Sequence, residues 1–264
     1  MTGLFPQTLN QLKSALQPKI RTSIRCLLSP LLLLIHFLFY LRHHPKLKVI
    51  ASLFQISEST SCRFIHWMMP HVYEVCAKLS TMEWPRGPIW SNVPFGFVGT
   101  QFLIDCTSHP RRRIHPGQHL YYRGDKGFHF LTAQVIVDVY GKPLHVAIGR
   151  GHNNDQGMFK LSGKKRQIQM DNVLGLSDRG YSNVHLIRPD DIEFATRLHL
   201  SVDAFGCIQS KHRASAEIIN SLSKFYSFAS TRVAQVPEFQ AYALMIIYYL
   251  VGMIMEHSPT WFKV

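Results

Sequence analysis

From residue 1 to about 80, apolar side chains recur at three- and four-residue intervals, the period that gathers them on one side of a helix, and β-type alternation is scarce. Two segments within this stretch are sharper. Leu47-Lys48-Val49-Ile50-Ala51-Ser52-Leu53-Phe54 predicts a short helix ending at Gln55-Ile56-Ser57, and Glu58 to Met69 predicts a second. Ser57 carries the side-chain oxygen that an N-cap uses to satisfy a free backbone amide. A helix, a tight turn and a second helix carrying Ser59, Thr60, Ser61 and Arg63 outward is the layout of a helix-turn-helix, whose second helix enters a major groove. An ordinary αα-hairpin fits the same spacing.

Residues 81 to 97 hold Pro85, Gly87, Pro88, Pro94 and Gly96 and predict a linker. The period then changes. Phe102-Leu103-Ile104 leads as a strand into Asp105; His129 to Val139 alternates, turns at Tyr140-Gly141-Lys142-Pro143 and returns as Leu144 to Ile148. Asp155 to Leu161 predicts a helical turn, and Val173-Leu174-Gly175-Leu176 a buried strand stopped by Asp178-Arg179-Gly180-Tyr181. Val184 to Ile187 predicts another short strand. Arg213 to Phe228 predicts a helix with Ile218, Leu222, Phe225 and Phe228 on one face and Glu217 beside it. The apolar runs Leu31 to Leu41 and Ala241 to Met255 fall short of the roughly 20 residues of a membrane span and predict buried helices. No secretory signal is expected, because the first apolar run starts too far in and lacks a small-residue cleavage pattern.

Charge then narrows the partner. The 264 residues suffice for one substantial core or two modest ones, and 29 Lys and Arg against 16 Asp and Glu leave a net charge of +13 that favours an anionic partner. Charge alone leaves DNA, RNA and a membrane surface open. The densest basic clusters, Arg111-Arg112-Arg113 and Lys164-Lys165-Arg166, fall in predicted loops, where with Arg63 they would clamp DNA phosphates without reading sequence. Solvated loop charges or a nuclear-import patch are the alternative. Tyr121, Tyr122 and Tyr181 could stack on an unpaired base or serve as core and rim residues. Five scattered cysteines without a Cys-x-x-Cys pair suggest a reducing compartment, and the fifteen histidines show no zinc spacing. No Walker, Gly-x-Ser-x-Gly or His-Glu-x-x-His pattern is present, which disfavours nucleotide hydrolysis, esterase and zincin chemistry.

The acids stand at telling places. Strand, strand, strand, helix, strand, helix, strand, helix is the element order of a ribonuclease-H-like mixed-sheet α/β domain. There the first and fourth strands lie side by side, so Asp105 and Asp178 converge, and a helix bearing Glu217 packs across the sheet. Three carboxylates brought together repel, and a divalent cation relieves the conflict. Mg²⁺ or Mn²⁺ suits oxygen donors, and two such ions about 3.5–4 Å apart would serve phosphodiester displacement. The plain alternative has Asp105 and Asp178 capping turns and Glu217 solvated.

The strings around these acids resemble the PIF/Harbinger group of DDE-superfamily transposases and nucleases. They are Ile104-Asp105-Cys106-Thr107, Gly151-His152-Asn153-Asn154-Asp155, Ser177-Asp178-Arg179-Gly180-Tyr181 and Arg213-Ala214-Ser215-Ala216-Glu217. The resemblance covers about residues 98 to 256, and the segment from Ala51 to Arg63 resembles the helix-turn-helix that precedes the catalytic domain in this group. It implies that Asp105, Asp178 and Glu217 are the catalytic metal ligands, with Asp155 a fourth candidate. The sequence departs from the group at Asn154, where a histidine is usual, at Thr132 in place of a lysine, and at Arg123-Gly124-Asp125-Lys126-Gly127, which replaces a more basic run.

The expected chain is thus an all-α region with a helix-turn-helix (1–80), a linker (81–97), a ribonuclease-H-like nuclease domain (98–256) and a tail (257–264). The expected activity is a divalent-metal-dependent DNA endonuclease or transposase. A domesticated, catalytically silent DNA-binding protein of the same fold is the rival, and a membrane-associated basic protein a distant third. Double-stranded DNA is the expected partner. The resemblance adds a Myb-like helper and, in a eukaryotic host, the nucleus; a prokaryotic host would place the chain in the cytoplasm, and a homo-oligomer is open.

Overall fold

Serines start two of the N-terminal helices. Ser29 Oγ accepts from the Leu32 amide at 3.3 Å and Ser57 Oγ from the Thr60 amide at 3.1 Å, each satisfying a donor that the first turn leaves free. The structure, a computed structural model, describes residues 2–21, 28–80, 82, 84 and 99–257. The first four helices are α1 (Pro6–Arg21), α2 (Pro30–His43), α3 (Leu47–Leu53) and α4 (Glu58–Leu79). α2 buries Leu33, Leu34, Phe37, Leu38 and Leu41, as its apolar run predicts. The expected linker, apart from Met82 and Trp84, and the expected tail after residue 257 lie outside the described residues.

Contacts divide the chain into two units. Residues 2–21, 28–80, 110–112 and 222–257 form a helical unit, and 99–109 with 113–221, Met82 and Trp84 form a mixed one. The mixed unit carries strands β1 (Thr100–Pro110), β2 (Tyr122–Arg123), β3 (Phe128–Asp138) and β4 (Pro143–Arg150), then α5 (Asp155–Leu161) and α6 (Lys164–Asp171). β5 (Leu174–Leu176), β6 (Leu186–Ile187), α7 (Ile192–Arg197) and α8 (Val202–Lys224) follow. The sheet order is β2-β3-β1-β5-β6, with β4 paired antiparallel to β3. β5 runs parallel to β1 and to β6. This is a helical N-terminal region followed by a mixed α/β sheet, an order of elements consistent with a ribonuclease-H-like arrangement.

β1 and β5 meet closely. A Cβ at Gly175 would stand 2.2 Å from the Phe102 ring, so only a glycine lets Phe102 lie across its neighbour. Phe102 then joins Ile104, Ile136, Phe159, Ile168, Val173 and Tyr181 in one buried cluster. Asp138 shapes the β3–β4 turn by accepting from the amides of Tyr140 (2.9 Å) and Lys142 (2.8 Å).

After α8 the chain adds α9 (Ser227–Ser230) and α10 (Pro237–His257) to the helical unit. α10 packs along α4, with ring centroids of Tyr73 and Tyr242 5.0 Å apart and of His66 and Phe239 4.7 Å apart. Residues 222–257 thus belong with the N-terminal helices, where the sequence predicted one domain to 256. The pattern showed that α10 is apolar; it could not show which surface the apolar face covers. α10 is also longer than its central run, long and apolar enough to cross a membrane by length and composition, yet most of it is buried within the fold.

Candidate active site and nucleic-acid interface

Leu103 of β1 pairs with Leu176 of β5, and each is followed two residues later by an acid, Asp105 and Asp178. The parallel pairing therefore sets the two acids on neighbouring paths, Asp178 just past the end of β5 and Asp105 midway along β1. Asp178 Oδ1 accepts from the Gly180 amide at 2.8 Å, which turns the chain immediately after the acid. Gln209 of α8 fixes the preceding residue, donating to the carbonyls of Ser177 (2.7 Å) and Ile187 (3.2 Å).

Gly180 also brings in the third acid. A Cβ built there would lie 2.6 Å from Asp155 Oδ2 and 3.1 Å from Asp178 Oδ1, so the two carboxylates flank it. Asp155 opens α5, whose N-cap is Asn154, with Oδ1 accepting from the Gly157 amide at 2.8 Å. The residue that departs from the resembled pattern thus has a local structural task. Beneath the acids, Tyr181 is fully buried; its hydroxyl lies 3.2 Å from Cys106 Sγ and accepts from Gln134 Nε2 at 3.4 Å. Burial pushes both the Tyr181 hydroxyl and the Cys106 thiol well up, and Tyr181 is a core residue, not a base-stacking platform.

α8 completes the cluster with Arg213, Glu217 and Asn220, spaced i, i+4 and i+7 on one helical face. Arg213 Nη1 donates to Asp105 Oδ1 at 3.0 Å, and Nη2 donates to Glu217 Oε1 at 2.7 Å. Asn220 Nδ2 donates to Asp105 Oδ2 at 2.9 Å. Burial, reinforced by Asp178 and Glu217, pushes the Asp105 carboxyl up to about 6 against the opposing pull of Arg213 and Asn220. Asp155 is likewise raised, by burial and then by Asp178, and Arg123 opposes the rise.

All four predicted acids therefore belong to one electrostatic neighbourhood. Their oxygens are hard donors suited to Mg²⁺ or Mn²⁺ in kind, and the raised carboxyls of Asp105 and Asp155 mark a place where added positive charge is favourable. As the side chains stand, no three His, Cys, Asp or Glu groups among the described residues form a ligand set, and both oxygens of Asp105 are engaged.

The predicted basic residues divide. Arg111 is buried at 2% exposure in the helical unit and donates from Nη2 to the Gln235 carbonyl at 3.2 Å. It is a packing residue, not the loop phosphate clamp expected, whereas Arg112 and Arg113 are exposed. Lys164, Lys165 and Arg166 form the first turn of α6 and not a loop. The Lys164 ammonium stands over the Trp84 ring, 4.6 Å from its centroid, leaving the half-buried Lys165 and the exposed Arg166 as the more available charges.

Sequence reasoning assigned no role to Arg213, Asn220, Gln209 or Gly180. The i, i+4, i+7 spacing around Glu217 was the signal for the first two. It was masked by the apolar face predicted through Ile218, Leu222 and Phe225. Phe225 is 62% exposed, beyond the end of α8, and the buried face carries Gln209, Ala216, Ile219, Asn220 and Ser223.

The helix pair of the N-terminal region matches its predicted layout. α3 ends at Leu53, Gln55 turns the chain with φ at 53°, and Ser57 caps α4, which runs ten residues further than predicted. Ser59 and Arg63 are exposed on its first turns; Ser61 faces inward instead, its hydroxyl 2.8 Å from His36 Nε2. Residues 26–77 match the family model described as the helix-turn-helix of DDE superfamily endonuclease. That match, over about a fifth of the chain, supports a DDE-superfamily transposase-like protein with a DNA-binding helix-turn-helix. No curated protein matches the chain.

Proposed function

We propose that this chain is a PIF/Harbinger-type DDE endonuclease, with a ribonuclease-H-like mixed unit that cleaves DNA phosphodiester bonds and a helix-turn-helix that holds the duplex. The observation that carries the reading is the register of β1 and β5. It sets Asp105 of β1 beside the chain that leaves β5 at Asp178, and Arg213 ties Asp105 to Glu217 of α8. Asp105, Asp155, Asp178 and Glu217 would hold Mg²⁺ or Mn²⁺, which when bound supplies charge neutralisation at the phosphate and a more acidic water. The chain's own contribution is to fix the acids: Gln209 anchors the backbone before Asp178, Gly180 leaves room between two carboxylates, and Asn220 orients Asp105. Arg63, Arg112, Arg113, Lys165 and Arg166 are the exposed or half-exposed cations that would take DNA phosphates. In a eukaryotic host such an enzyme works in the nucleus.

The test is nicking of supercoiled DNA with Mg²⁺ or Mn²⁺ by the parent, Asp105→Ala and Glu217→Ala. Loss of nicking with unchanged DNA affinity is expected; equal nicking by all three rejects the assignment. The engagement of both Asp105 oxygens favours a second reading, a catalytically silent DNA-binding protein. That reading requires DNA binding by the parent with no nicking under either metal.

A further inference from the structure

The guanidinium of Arg213 is divided between two acids from different elements, with Nη1 3.0 Å from Asp105 Oδ1 on β1 and Nη2 2.7 Å from Glu217 Oε1 on α8. The contact is sheltered on the Asp105 side, where both side chains are only 15% exposed, while Glu217 is 53% exposed. The other oxygen of Asp105 receives Asn220 at 2.9 Å. An incoming cation coordinated by Asp105 needs an oxygen that now faces a donor hydrogen, and its own positive charge would be set against the guanidinium. A guanidinium stays protonated in proteins, so the two charges cannot share the place by loss of a proton. The side chain has to swing out.

We propose that Arg213 is a positioning residue that occupies the cation's place between Asp105 and Glu217 and is exchanged for a divalent metal ion, so that metal affinity is set by competition with the protein's own side chain. The inference rests on the metal-dependent reading of the same acids. It accounts for two facts together: the carboxylates are neighbours, yet they form no ligand set as they stand. The planar fork is well suited to the holding role, because it offers separate donors to two carboxylates, which a single ammonium cannot do with the same geometry. In the metal-free chain Arg213 keeps α8 and β1 in register across what would otherwise be a repulsive pair. Metal binding then replaces one positive group by another and leaves the acids in place.

Mn²⁺ binding to the full chain without DNA, read by the loss of the free-ion paramagnetic resonance signal, tests this with the parent, Arg213→Met and Arg213→Lys. Removing the competitor should tighten Mn²⁺ binding about tenfold in Arg213→Met, the size expected when a charge-assisted hydrogen bond no longer has to be broken. Arg213→Lys should fall between the two. The same Mn²⁺ additions should raise the Tm of Arg213→Met by more than that of the parent, from a lower metal-free starting point. A purely structural role predicts the reverse, since a loosened α8 would bind the ion less well. Mn²⁺ binding by the parent with equal or weaker binding by Arg213→Met therefore overturns the inference and leaves the metal-dependent reading intact. Absence of Mn²⁺ binding by all three chains overturns both. Should Arg213→Met fail to fold, Mg²⁺ titration of the parent reads the same exchange through the guanidinium ¹⁵N resonance of Arg213. That resonance should shift on saturation; an unmoved resonance while Mg²⁺ binds overturns the proposal.

Discussion

Asn220 holds the second oxygen of Asp105, its Nδ2 2.9 Å from Oδ2, and so opposes the burial that pushes this carboxyl up to about 6. Asn220→Leu removes the donor and leaves a mostly buried oxygen without its partner. The Asp105 carboxyl should rise by about one further pK unit, the equivalent of one hydrogen bond to a charged group. The acidic limb of the nicking profile should move to higher pH by a similar amount. Rates measured from pH 5 to 9 check this, and an unmoved limb would mean that Asn220 does not tune Asp105.

Two glycines separate folding from function. A methyl at Gly180 meets Asp155 Oδ2 at 2.6 Å and Asp178 Oδ1 at 3.1 Å, whereas a methyl at Gly175 meets the Phe102 ring at 2.2 Å in the core. Gly180→Ala is expected to abolish nicking while changing stability by less than about 1 kcal/mol. Gly175→Ala is expected to cost about 1–3 kcal/mol of stability by overpacking. Thermal melts alongside the nicking assay decide; equal behaviour of the two variants would contradict the assignment of Gly180 to the site.

The helical unit should be sensitive to acid through His36. This side chain is fully buried between Phe54, Phe64 and Ser61, and burial lowers it to about 4. The folded state prefers the neutral ring, so the contribution is present above about pH 6.5 and is lost as pH falls through the window toward 4. Up to about 3 kcal/mol is at stake over that interval. Denaturant melts of the parent and His36→Phe at pH 7 and pH 5 should show a smaller loss in the variant.

Exposure sorts the basic residues into two classes of behaviour. Arg63→Ala and Arg113→Ala should each weaken DNA binding and lower the slope of log K against log salt by about 0.9, the value for one phosphate contact. Arg111→Ala should leave the slope unchanged and lower the Tm, because its side chain is buried against the Gln235 carbonyl. Salt titrations of all three give the answer directly.

Local pattern revealed what local physics decides. The β3–β4 hairpin, α5, β5 and the Ser57 cap follow from alternation, turn residues and a capping oxygen, each acting within a few positions. The convergence of Asp105 and Asp178 followed from element order, and the paired positions Leu103 and Leu176 give it a register. What stayed hidden depended on partners far along the chain. α8 begins at Val202, and beside the buried Phe205, Ala216 and Ile219 it buries Gln209 and Asn220, whose partners are the carbonyls of Ser177 and Ile187 and the Asp105 carboxylate. A hydrophobic period counts only apolar positions, and so chose Ile218 and Leu222, which are half-buried, Phe225, which is exposed, and Phe228, which is buried in α9, and passed over Gln209 and Asn220. Arg111 reads as part of a charged triplet, and only the chain at Val233 and Gln235 explains why it is buried.

The packing of α10 along α4 sets a condition on how the second helix of the helix-turn-helix comes into being. During synthesis α4 emerges from the ribosome long before Phe239, Tyr242 and Tyr249 exist to pack against His66 and Tyr73. Until then its apolar flank must wait in water or in the care of a chaperone. A fragment cut after residue 80 would inherit that nakedness permanently, and should clump or melt even though every residue of the recognition motif is present.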